Sequence, residues 1–136
     1  MLQVSVNART SPPPLPLEKI ASSVLGSTYN LSVVFCGEKL SQRLNRTYRK
    51  KNKPTNVLSF PLSKNEGEIF LNLIRIKKEA KKEGLPLTGY LSYLFIHGLL
   101  HLKGHDHGSR MEAEEKRILK LFGFFKDTRL AQFFSA

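Results

Sequence analysis

Leu87-Thr88-Gly89-Tyr90-Leu91-Ser92-Tyr93-Leu94-Phe95-Ile96-His97-Gly98-Leu99-Leu100-His101-Leu102-Lys103-Gly104-His105-Asp106-His107 decides how this chain is read. Leu87 to Leu102 is long and largely apolar, which predicts a buried central helix, with Gly104 as its stop signal. All four histidines of the protein lie between His97 and His107. His97 and His101 are four apart, so on a helix they sit roughly 40° apart on one face, one turn above the other. A helix offers two imidazoles to one tetrahedral metal in this way. Gly104 can take a left-handed conformation and reverse the chain, so that His107 swings back as a third ligand. Three protein ligands leave a fourth position for water, the arrangement of a catalytic rather than a structural zinc. A lone histidine on an apolar helix is more often a satisfied core residue. Two at this spacing, with a glycine stop and a third just beyond, predict metal binding. His105 competes with His107 for the third place, and Asp106 is either an acceptor orienting an imidazole or a turn residue.

Three residues separate the first two ligands and five the next two, as in the metzincin proteases. In those enzymes a glutamate follows the first histidine and serves as general base. That position is Gly98 here. Without the carboxylate the proton acceptor is lost, and a peptidase becomes the second reading.

Charge narrows the partners. Lys+Arg total 22 against 11 for Asp+Glu in 136 residues, a net charge of +11, which favours polyanions such as nucleic acid or an anionic membrane surface. Lys39, Arg43, Arg46, Arg49, Lys50, Lys51 and Lys53 form a run with no acidic residue among them, a density that points to phosphate contacts rather than to a merely solvated face. No window approaches the roughly 18 apolar residues of a membrane helix. Met1 to Asn7 lacks a basic segment leading into an apolar core, so no signal peptide is expected. The only cysteine, Cys36, sits in the apolar run from Val33, excludes an intrachain disulfide and fits a reducing compartment. A soluble, cytoplasmic protein is expected, of one domain over residues 1–136.

The remaining pattern predicts an α/β fold with a mixed four-stranded sheet and about five helices. Leu2–Val6 reads as an edge or half-buried strand, Leu31–Cys36 as a second, Val57–Phe60 as a third closed by Pro61, and Glu68–Leu71 as a fourth. The short connection between the last two allows an antiparallel pair; strand order is not legible. Leu17–Leu25, Glu38–Tyr48, Leu73–Glu83 and a last helix closed by Gly123 join the central one. Leu40, Leu44 and Tyr48, spaced by four, are expected to form the inward face of the second helix, so Tyr48 reads as core rather than as a base-stacking ring. Ser109 and Glu112 match a capping box. The tail from Phe124 to Ala136 carries no clear assignment.

The stretch from His97 to His107 resembles the hallmark H-G-x-L-H-L-x-G-Y-D-H of the YbeY family of bacterial endoribonucleases, with His105 in place of the tyrosine. Asn45 to Pro61 is similar to a second family stretch, with Asn56 where Asp is usual, and Gly67-Glu68-Ile69 to a third, usually Gly-Asp-Ile. Together they cover roughly Asn45 to His107. The resemblance implies a compact α/β fold with zincin-like metal geometry, one Zn2+ held by His97, His101 and His107, and Arg49 as the cleft arginine needed for activity. It also implies single-stranded RNA as substrate, with ribosomal RNA and the small ribosomal subunit as partners in 16S ribosomal-RNA maturation and ribosome quality control. Lys50, Lys51 and Lys53 are expected to position the RNA backbone, and Ser59 either contacts phosphate or packs the strand. A monomer is expected, with no DNA substrate and no membrane. A non-enzymatic ribosome-assembly factor with a structural zinc is the third reading.

Overall fold

The computed structural model describes residues 1–135. Strands β1 (Leu2–Asn7), β2 (Asn30–Cys36), β3 (Val57–Ser63) and β4 (Glu66–Asn72) form one sheet in the order β1-β2-β4-β3. The first three neighbours run parallel, and β3 runs antiparallel to β4 across a tight turn. Alternation along β2 turns Leu31, Val33 and Phe35 into the core, where Ile69 and Leu71 of β4 join them. Cys36 is buried among them, and burial pushes its thiol up to about 11, so it is an inert apolar residue.

Six α-helices stand among the described residues: α1 (Leu17–Leu25), α2 (Glu38–Arg49), α3 (Leu73–Glu83), α4 (Leu87–Leu102), α5 (Ser109–Leu121) and α6 (Thr128–Ser135). The sixth comes from the tail that its short pattern left unassigned. It docks through the fully buried Leu130 and through Phe134, whose ring meets Tyr93 of α4 at 4.9 Å. Ten of the sixteen residues of α4 are buried, on all sides, because β3, β4, α1, α3 and α5 surround it.

Three local expectations are corrected. Pro61 does not close β3, which continues to Ser63; β3 is an edge strand, so the missing N–H of proline breaks no ladder bond. Ser109 is not a cap: Gly108 occupies that position and no side chain caps α5. The inward line of α2 is Ser41 and Asn45, both buried, while Leu40 and Leu44 are half-buried and Tyr48 is 60% exposed. That line is polar because it faces backbone. Ser41 Oγ donates to Thr55 O and accepts from Thr55 N–H, and Asn45 Nδ2 donates to Lys53 O. Residues 50–56 are thereby latched to α2, and the chain leaves the helix through Lys50 in a left-handed conformation (φ 57°).

Asn72 ties the same corner to α3. Its side chain accepts from Arg75 N–H and donates to Glu38 Oε1 and Thr55 O, while Arg75 grips Glu38 with two bonds of 3.0 and 2.8 Å. The bonds from Arg75 hold the Glu38 carboxyl below its usual range. A folded pKa lowered in this way contributes stability that is complete above the unfolded value of about 4.3 and is lost as the pH falls through the folded value. Glu38→Gln should therefore lower unfolding free energy in urea by about 0.5–1 kcal/mol at pH 7, a figure discounted for partial exposure of the pair. The difference from wild type should shrink on acidification below pH ~4.

Candidate metal centre

The last turn of α4 ends in a Schellman closure: His105 N–H bonds Leu100 O, Gly104 N–H bonds His101 O, and Gly104 takes φ +100°. The reversal carries the chain back over the helix end. His97, His101 and His107 then present ligand atoms that all lie within 4.8 Å of one another. His105 is not in this group; its carbonyl serves it instead, 3.1 Å from His101 Nδ1.

Two outer bonds fix the rings. His97 Nδ1–H donates to Glu115 Oε2 at 2.9 Å, and a carboxylate only accepts, so the proton is on Nδ1. His101 Nδ1–H donates to the carbonyl of His105 by the same logic. With both rings neutral the two Nε2 atoms carry lone pairs, and they lie 3.1 Å apart. Two lone pairs repel at that distance unless a cation lies between them. Tetrahedral ligands at 2.0–2.1 Å from zinc stand about 3.3 Å apart, so the spacing and the donor set fit a divalent metal. Burial, followed by repulsion from His97 and His107, lowers the pKa of His101 and keeps it neutral and able to ligate. Among the described residues the group has three members, and the third, His107, is exposed, so the site is open on one side.

Glu115 escaped the sequence reading. It is 3% exposed on α5, where an inward glutamate on an amphipathic helix is the only signal of a role. It orients His97 and selects its tautomer.

The cleft beside the imidazoles is lined by α2, the 50–56 loop, β3 and α4. Arg49, Lys51 and Ser59 line it together with Asn45, Thr55 and Asn56; Lys50 and Lys53 are exposed outside its lining. Arg49 Nη2 donates to Ser59 O at 3.0 Å, and its guanidinium lies 5.1 Å from the centre of the Phe60 ring. Tyr48 meets the same ring edge-on at 5.2 Å. Asn56 Nδ2 donates to Glu79 Oε1, which also accepts from Tyr90 Oη. An aspartate at 56 would set carboxylate against carboxylate, so the amide matches its neighbour here.

Gly98 brings β3 against α4. Ser59 Oγ donates to Gly98 O at 2.9 Å, and a Cβ on Gly98 would lie 2.9 Å from Ser59 Oγ and 3.3 Å from side chains of Ile69 and Val57. A side chain at this position would displace Ser59 Oγ and crowd Ile69 and Val57. Gly98→Ala should cost about 1–3 kcal/mol of stability by forcing strand and helix apart, measured by thermal unfolding. Glu115→Ala should weaken metal binding about 10- to 100-fold in a chelator competition, with the helical spectrum retained.

A family model described as "Endoribonuclease YbeY" matches residues 16–123. The endoribonuclease YbeY of Ehrlichia canis is 42% identical over 103 residues, covering 68% of this chain and 67% of its own length. That of Chelativorans is 41% identical over 67% of this chain and 61% of its own, and that of Aromatoleum aromaticum 36% over 84% and 76%. The solution structure of a Thermotoga maritima protein superposes with a TM-score of 0.63 at 22% identity, covering 96% of this chain and 95% of that one, a likeness of fold. With a family model spanning most of its length and the histidine group where the hallmark places it, the chain belongs to the YbeY endoribonuclease family.

Proposed function

We infer that the chain is a metal-dependent endoribonuclease of single-stranded RNA, one domain over residues 1–136, with one Zn2+ held by His97, His101 and His107. The observation that carries the reading is the meeting of three imidazoles and an arginine on one cleft, in a family of endoribonucleases. An ion held there polarises a phosphoryl oxygen and makes water more acidic. Arg49 is aimed by Ser59 O and Phe60, which leaves its remaining N–H groups for two non-bridging oxygens of the scissile phosphate. Its fixed charge stabilises the negative charge that builds there in the transition state. Lys51 holds the backbone within the cleft, with Lys50 and Lys53 just outside it, and none of them reads bases. Ser59 keeps its place among substrate contacts by position; with its proton given to Gly98 O it meets phosphate only after turning about χ1.

The same reading assigns 16S ribosomal-RNA maturation and ribosome quality control, with the small ribosomal subunit as partner, and a monomer acting in the cytoplasm. Its support is the family membership and the net charge of +11. No helix among the described residues is long and apolar enough to cross a membrane. A peptidase is disfavoured by glycine at position 98, which supplies no carboxylate, and a sealed structural zinc by the exposure of His107.

Purified protein should contain zinc and cut single-stranded RNA, and chelation should abolish cutting. Arg49→Ala should lower kcat by roughly 10²- to 10³-fold with zinc retained, and Arg49→Lys should restore little, because an ammonium lacks the planar fork. His101→Ala should lose both metal and cleavage. Unchanged cleavage in both alanine variants would assign the activity to a contaminating nuclease. Products with 5′-hydroxyl ends would place the attack on the RNA 2′-OH rather than on water.

A further inference from the structure

The basic run that begins at Lys39 does not form one surface. Arg49 and Lys51 face the metal cleft. Lys39, Arg43 and Arg46 follow one another at helical spacing along α2 and line a separate groove together with Arg9. Asn7 to Arg9, leaving β1, and Ile74 of α3 complete that groove. It lies beyond the carboxyl ends of the parallel strands β1 and β2, where open α/β sheets bind their ligands.

The electrostatics of the groove are unbalanced. Its one carboxylate, Glu38, is already gripped by Arg75. Among the described residues Arg9, Lys39, Arg43 and Arg46 enter no ion pair, whereas Arg75, Arg117 and Arg129 each do. All four side chains are exposed. Like charges at this helical spacing repel, and a polyanion is the ligand that relieves them. Lys39, Arg43 and Arg46 are strung over about 10 Å of α2, with Arg9 beside them, a spread that suits successive phosphates better than a single anion.

We propose that Arg9, Lys39, Arg43 and Arg46 form a second RNA-backbone site, separate from the metal cleft, that holds flanking phosphates of the substrate. The two linings share no residue, and Arg46 of the groove and Arg49 of the cleft lie one turn apart on α2, so the groove anchors the strand next to the cleft. The identity of the polyanion rests on the endoribonuclease reading; the groove and its charge do not. Phosphate binding of this kind gives affinity without sequence preference and makes it salt-dependent.

The test pairs two substrates with two variants. Arg43→Glu/Arg46→Glu reverses two of the charges, and Arg9→Ala/Lys39→Ala truncates the other two, so one informs if the other fails to fold. Binding of a long labelled single-stranded RNA is followed by fluorescence anisotropy across a salt series. Cleavage is followed on the same RNA and on an oligonucleotide short enough to stay within the metal cleft. The expected result is about tenfold weaker binding of the long RNA, and a log–log salt slope shallower by about 0.7 for each phosphate that the variant no longer neutralises. Cleavage of the short oligonucleotide should keep its kcat/KM. Unchanged binding of the long RNA, or equal losses on long and short substrates, would overturn the second site. Groove-dependent binding by a wild-type protein that cuts neither RNA would uphold the groove and overturn the endoribonuclease reading.

Discussion

Two imidazole nitrogens that carry lone pairs and are held 3.1 Å apart are the constraint on which the rest of the site depends. Nothing within the two rings favours that approach. It exists because each Nδ1 proton is already committed elsewhere, one to Glu115 on α5 and one to the carbonyl of His105. The helix end must turn sharply to deliver that carbonyl, and the same turn returns His107 to the group. Helix α5 must then pack against α4 to bring a buried carboxylate under His97. A metal ion held between the rings converts the arrangement from repulsion to attraction.

The cleft follows from a second constraint, the close approach of β3 to α4. Gly98 lets Ser59 sit against the helix backbone, and the strand so placed offers its carbonyl at Ser59 and the ring of Phe60 to Arg49. One missing side chain thus removes the carboxylate that peptide hydrolysis would use and admits the strand that aims an arginine. From the other side, Ser41 and Asn45 hold the 50–56 loop, so Lys51 enters the cleft while Lys50 and Lys53 stay outside it. The inward line of α2 is polar because it bonds a loop's backbone, not because the helix is exposed there. That is why apolar spacing misplaced Tyr48: the apolar line runs beside the buried one and ends at a half-open edge.

Local chemistry was legible wherever one short stretch contained all of it. The i, i+4 histidines, the glycine that reverses the chain and the third histidine lie within eleven residues, so geometry followed from helical pitch and one left-handed turn. The strands of the core, the buried central helix and the basic character of α2 were likewise written in periodicity and charge. Strand order, the outward place of Tyr48, the docking of α6 and the role of Glu115 were decided only by tertiary contact. Each depends on which surface another, distant segment covers, and the pattern of one segment carries no record of its partner. A buried glutamate and a solvated one occupy the same kind of position in an amphipathic helix; only the imidazole opposite tells them apart.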